Sequence, residues 1–254
     1  MTEPSPAKVT ILGVPIDNVS LDETVDRIQA LAEAQSFSFT VTPNVDHVMK
    51  LQNDSRFRQC YSQADLVVCD GVPLLWAAKF LGSPLKGRVN GTDLFERLAA
   101  RAAETGSSIF LLGGDPGVAE KAADELCRQH PTLRVTGCYC PPYGFENDPA
   151  ENAKILELIR SAKPTYLFVG LGCPKQEFWI ADHGASSGAR HAIGIGFSFS
   201  FVAGAVRRAP GWMQRYGLEW FWRLCAEPKR LARRYLLEDP KFFWLLFKQK
   251  IASQ

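Results

Sequence analysis

Seven short runs of β-branched, leucine and aromatic residues punctuate this chain, separated by stretches in which apolar residues recur with helical period. The runs are Val9–Leu12, Phe37–Val41, Leu66–Val68, Ile109–Leu112, Leu133–Val135, Tyr166–Val169 and Ala192–Ile195. Between them, Leu94, Leu98 and Ala102, or Ile155, Leu158 and Ile159, lie on single helical faces. Strand–helix–strand alternation predicts an α/β fold with a parallel sheet covered by helices on both faces. A chain of 254 residues is long enough for one large domain of this kind with an appendage.

The pattern changes after Gly204, which divides a Rossmann-like domain, residues 1–204, from a helical C-terminal appendage, residues 205–254. The appendage holds 11 Lys/Arg against 4 Asp/Glu, whereas the first 204 residues hold 18 against 23. Four of the six tryptophans also fall in it, beside Phe221, Phe242, Phe243 and Phe247. Short helices are predicted around Trp212–Tyr216, Leu218–Cys225, Pro228–Leu236 and Pro240–Lys250, with Pro210, Pro228 and Pro240 as first-turn residues. Basic and aromatic residues together suit an anionic partner with an apolar component, although such a face also packs on a core. No basic face in residues 1–204 supports nucleic-acid binding, so none is expected. The seven scattered cysteines read as reduced thiols in a cytosolic protein. Met1–Pro6 lacks the regions of a secretory signal, and no apolar stretch reaches the roughly 20 residues of a membrane span.

In a parallel sheet the strand ends converge on one edge, where open α/β folds bind ligands. Here that edge collects Thr42-Pro43-Asn44, Asp70-Gly71, Gly113-Gly114 and Gly170-Leu171-Gly172-Cys173-Pro174-Lys175-Gln176. Asp70 stands between a strand and a helix with Pro73 in its first turn; an acid there caps the helix, binds a metal, or serves as a base. Glycine-rich turns let backbone N–H groups approach a phosphate, yet neither turn has dinucleotide-binding or P-loop spacing. Lys175 is either a solvated surface residue or a neutraliser of phosphate charge, and Asn44 and Gln176 are either caps or hydrogen-bonding partners of a sugar or base. Asp93 is a helix cap or a substrate-orienting acid. The isolated His47, His183 and His191, like Cys138-Tyr139-Cys140, give no metal spacing, so neither metal nor cofactor is expected. An acid, two amides, a lysine and two glycine turns suit a nucleotide diphosphate beside a hydroxyl to be activated, as in sugar transfer.

These segments, with Arg88-Val89-Asn90-Gly91-Thr92-Asp93, Arg208-Ala209-Pro210-Gly211-Trp212-Met213-Gln214-Arg215, Gly217-Leu218-Glu219-Trp220 and Glu227-Pro228-Lys229-Arg230, resemble the WecG/TagA/CpsF glycosyltransferase family in order along nearly the whole chain. The resemblance implies an inverting, metal-independent transfer of a sugar, in many members N-acetylmannosamine or its uronic acid, from a UDP-sugar to a polyprenyl-diphosphate-linked acceptor. It implies Asp70 as general base, with Thr42, Asn44 and Gln176 in the same pocket. Arg223, Arg230 and Arg233 are implied as a diphosphate clamp, whose bland alternative is a solvated basic face. The appendage is implied to dock on the anionic inner face of the plasma membrane. Gly71, Gly113, Gly114, Gly170, Gly172 and Lys175 complete the expected donor site, with Ser200 where the family commonly carries an aspartate. A hydroxyl there bears on donor contacts and donor identity. The alternative from another class is a non-catalytic, membrane-associated nucleotide-sugar-binding protein, and a homo-oligomer is compatible with either.

Overall fold

A computed structural model describes residues 7–34, 36–226, 228–229 and 239–252. The centre is a six-stranded parallel sheet built from β3 (Ser38–Val41), β4 (Leu66–Val67), β5 (Ser108–Gly113), β6 (Arg134–Tyr139), β7 (Tyr166–Gly170) and β8 (His191–Gly194), in the order β4-β3-β8-β7-β5-β6. Each strand alternates between two apolar layers. Phe39, Val41, Val67, Phe110, Leu112, Leu167 and Val169 face one cluster, and Leu66, Ile109, Leu111, Tyr166, Phe168 and Ile193 face the other. Helices α2 (Val45–Asn53), α3 (Ser55–Gln63), α4 (Val72–Leu81), α7 (Pro149–Ala162) and α8 (Lys175–His183) contribute to the first layer. Helices α1 (Leu21–Glu33), α5 (Gly91–Thr105), α6 (Val118–Gln129) and α9 (Ser198–Val202) contribute to the second.

The first expected strand lies outside this sheet. β1 (Lys8–Ile11) pairs antiparallel with β2 (Val14–Asp17), which Pro15 concealed from a pattern reading. The hairpin is anchored by buried Asp17, whose carboxylate accepts from the Val67 N–H at 2.8 Å. β4 is also shorter than its apolar run. The pairing nevertheless continues past it, because the Val68 and Asp70 N–H groups donate to Val41 O and Pro43 O at 3.0 and 2.9 Å.

In the appendage, α10 (Gly211–Arg215), α11 (Glu219–Ala226) and α12 (Asp239–Ala252) lie where helices were expected. The expected helix Pro228–Leu236 falls outside the described residues except at 228–229. α12 returns to pack on α2 and α4. Phe242 and Leu246, one turn apart, are buried in the first core layer, and the Gln249 side chain accepts from Leu12 N and donates to Thr10 O at 2.8 and 3.0 Å. The opposite stripe, Phe243, Phe247 and Ile251, is exposed, as is Trp244, over whose ring Lys248 Nζ sits at 3.6 Å. No helix among the described residues is long and apolar enough to cross a membrane.

Candidate active site

A cavity of about 350 Å³ opens at the carboxyl ends of β4, β3 and β8. There β3, followed in the chain by β4 on one side, meets late-arriving β8 on the other. Asp70, Asn44, Arg88, Asn90 and Glu219 belong to its polar lining, and Phe197, Phe201, Trp76, Trp220 and Phe243 form much of its apolar wall. Trp76 is 51% exposed and Phe243 48%, so both belong to the rim.

Asp70 is not a helix cap. The N-cap of α4 is Gly71, which makes no side-chain cap bond. The Asp70 carboxylate instead accepts from Asn90 Nδ2 at 2.8 Å. Asn44 combines both readings offered by the sequence: it caps α2, accepting from His47 N at 3.4 Å, and lines the cavity. Asp93 is no cap either, since Asn90 caps α5 through a 2.9 Å bond from Thr92 N. Asp93 pairs with Arg208 at 2.6 Å and Arg88 at 3.6 Å, and both arginines also reach Glu219 of α11, at 3.5 and 3.1 Å. Two guanidinium groups and two carboxylates thus tie the start of the appendage to the cavity wall. Arg88, Asn90 and Glu219 stand in segments that carry the family resemblance, but their shared place is decided only by tertiary folding, which brings residues so distant in sequence together.

Several expected ligand residues have another place. Thr42 is buried and donates to Gly194 O at 3.0 Å, which staples the ends of β3 and β8 beside the cavity but outside its lining. Gln176, also buried, straps the β8 turn. Its Oε1 accepts from Gly196 N at 3.0 Å and its Nε2 donates to Glu177 Oε1 at 2.8 Å, which corrects the expectation of a pocket amide. At the glycine turns, Gly113, Gly114 and Gly170 are closely packed. Gly114 N–H is spent on Gly170 O at 2.9 Å, and a Cβ on Gly170 would meet the Phe199 ring at 2.8 Å. At Gly113, with φ +106°, a Cβ would lie 2.6 Å from Gly170 O. Gly172 instead lies just before α8, its carbonyl accepting from Gln176 N at 2.9 Å. Lys175 pairs with Glu146 at 2.7 Å, away from the cavity lining, and Ser200 is buried in α9. Gly71 does line the cavity, against Asn44. Arg223 belongs to α11, while Arg230 and Arg233 lie outside the described residues.

His47 is a core histidine: its Nδ1 lies 2.8 Å from Tyr61 Oη, and its ring stands edge-on to Phe57. Among the described residues, Asp46, His47 and Cys173 have ligand atoms close enough to share a metal ion. The Lys50 ammonium already stands at that place, 2.8 Å from Asp46 and 3.7 Å from Cys173 Sγ, and burial pushes the Cys173 thiol well above its ordinary pKa.

Chemically, the cavity can hold a hydroxyl nucleophile against a carboxylate, with guanidinium and amide groups near and an apolar mouth. The family model described as "Glycosyl transferase WecG/TagA/CpsF family" matches residues 9–254. Similar proteins include one from Staphylococcus aureus strain MRSA252, 31% identical over 246 residues, covering 96% of this chain and 94% of that protein. Another, from S. aureus strain NCTC 8325 / PS 47, shows the same identity and coverage. Both bear the name N-acetylglucosaminyldiphosphoundecaprenol N-acetyl-beta-D-mannosaminyltransferase.

Proposed function

The chain belongs to the WecG/TagA/CpsF glycosyltransferase family, and we propose that it transfers an N-acetylmannosamine-type hexosyl group, with inversion, from a UDP-sugar to a polyprenyl-diphosphate-linked saccharide. The observation that carries this reading is the cavity itself, in which Asp70 faces a space walled by aromatic residues at a sheet edge. In the reaction an acceptor hydroxyl oxygen attacks the anomeric carbon, its proton passes to the Asp70 carboxylate, and the bond from that carbon to the UDP oxygen breaks. The departing diphosphate needs cationic partners. Arg88 lines the cavity, and Arg223, Arg230 and Arg233 are the candidates from the appendage.

The lipid part of the acceptor fits the rim. Trp76 and Phe80, one turn apart on α4, are exposed, Trp76 shares the cavity lining with Phe243 of α12, and Trp212, Tyr216 and Phe221 add further exposed aromatic surface. With the appendage's net positive charge, this surface suits docking on an anionic membrane, the inner face of the plasma membrane in this reading. Residues 205–254 then act as a docking appendage to a catalytic domain of residues 1–204, but one whose last helix is built into the core through Phe242 and Leu246.

The test is product analysis with a panel of UDP-sugars and a short-chain polyprenyl-diphosphate-N-acetylglucosamine acceptor. Asp70→Asn is expected to abolish transfer while UDP binding persists. Transfer at the wild-type rate by Asp70→Asn would overturn the base assignment, and absence of transfer from every donor by the wild type would overturn the activity.

A further inference from the structure

We propose that Asn90 is a positioning residue for Asp70, and that Arg208, by fixing Asn90, makes the orientation of the base depend on the segment leading into the appendage. The inference rests on the reading of Asp70 as base. An asparagine amide has one accepting and one donating end, and a bond to either determines the direction of the other. In Asn90 the accepting end is engaged twice: Oδ1 takes the Thr92 N–H at 2.9 Å as the cap of α5 and Arg208 Nη2 at 3.2 Å. Nδ2 is thereby turned toward Asp70 and donates to its Oδ1 at 2.8 Å. A flipped amide would set NH₂ against two donors and carbonyl oxygen against a carboxylate, so the cap, the guanidinium and the acid all select one orientation.

Arg208 is itself held by Asp93 at 2.6 Å and by Glu219 at the start of α11 at 3.5 Å. A chain of charge-assisted bonds therefore runs from Glu219 of α11 through Arg208 and Asn90 to the carboxylate; its two ends and Asn90 line the cavity. Asn90 has no proton to exchange and acts through Asp70: its N–H favours the ionised form and holds one oxygen in place, which sets the direction in which the carboxylate meets an acceptor hydroxyl.

Two variants separate this role from helix capping. Asn90→Asp keeps a good N-cap and a partner for Arg208, but replaces the donor with a second carboxylate beside Asp70. Asn90→Ser keeps a capping hydroxyl and loses the donor without adding charge. With the full-length protein, UDP-sugar and the short-chain acceptor, Asn90→Asp is expected to lower kcat about 100-fold and Asn90→Ser about 10-fold. KM for the UDP-sugar should change by less than about 3-fold, and the acidic limb of the kcat profile should move to higher pH, further for Asn90→Asp. Thermal midpoints near that of the wild type accompany these effects, because the cap survives. Wild-type kcat and pH profile in both variants would overturn the proposal, as would losses matched by equal loss of folded protein. Asp70→Asn assayed alongside separates the two failures. If it is inactive while both Asn90 variants match the wild type, the positioning role alone falls; if it turns over normally, the base assignment falls and takes this role with it.

Discussion

Replacing Glu177 with glutamine is expected to stabilise the protein above neutral pH and to leave its stability near pH 5 almost unchanged. The Glu177 carboxyl is fully buried at the start of α8; Oε1 accepts from Gln176, while Oε2 has no hydrogen-bond partner among the described residues. Burial is the main cause that pushes its pKa from 4.5 up to about 7, against the opposing effects of the Gln176 hydrogen bond and the Lys50 charge. Between pH 4.5 and about 7 the folded state keeps the proton that the unfolded chain has lost, so stability falls as pH rises through that window and levels off above it. The full difference corresponds to about 3 kcal/mol, from 1.36 kcal/mol for each pH unit. Glutamine still accepts the Gln176 bond and never ionises. Its extra N–H group, like the O–H of the protonated acid, lacks a partner, so little difference remains at pH 5. For a chain of this length 1 kcal/mol moves the thermal midpoint by about 2–4 °C, which gives Glu177→Gln an advantage of roughly 6–12 °C at pH 8.5. Differential scanning fluorimetry of both proteins from pH 5 to 8.5 measures it. An offset between wild type and variant that does not change with pH would refute the reasoning.

His191 should produce the opposite slope. It is enclosed between the Ser38 and Thr40 hydroxyls at 2.7 and 2.9 Å, and burial pushes its pKa down from 6.5 to about 3, so the stability of its neutral form is lost as pH falls from 6.5 toward 3. His191→Gln should flatten the acid side of the stability profile in urea titrations, and an unchanged slope would count against the buried neutral imidazole. Gly113→Ala forces a side chain at φ +106° onto Gly170 O and should cost about 3 kcal/mol or more in chemical denaturation; a loss under about 1 kcal/mol would show that the β5 and β7 turns part easily. Phe80→Ser and Phe247→Ser, both outside the cavity lining, should each weaken binding to anionic vesicles about 10-fold or more in co-sedimentation, from about 1.5–3 kcal/mol per apolar side chain. Undiminished vesicle binding by the double variant would remove the α4–α12 face from the docking surface.

The parallel sheet, the helices on its faces and the place of Asp70 were legible in the linear sequence because each has a local cause. Burial on both faces makes apolar runs, amphipathic helices repeat every 3.6 residues, and Pro73 after Asp70-Gly71 starts a helix at a strand's end. The hairpin partner Val14–Asp17 escaped because Pro15 separates its two β-branched residues, Val14 and Ile16, and proline in a short run argues against a strand. Local pattern has a second blind spot in glycine. The same residue lets a backbone approach a phosphate or another backbone, and only the fold shows that Gly113, Gly114 and Gly170 pack against one another and against Phe199. What the tertiary structure alone decided are the partners of each polar group. Gln176 turns inward to the β8 turn, Asn90 couples Asp70 to Arg208, and α12 divides its aromatic residues between core and surface. Those outcomes depend on which groups lie within about 3 Å after folding, and sequence separations as large as that between Asn90 and Arg208 carry no trace of such distances. The chain by itself therefore determined that an acid would stand at the carboxyl edge of the sheet, and the packing of distant segments determined what holds that acid and what surrounds it.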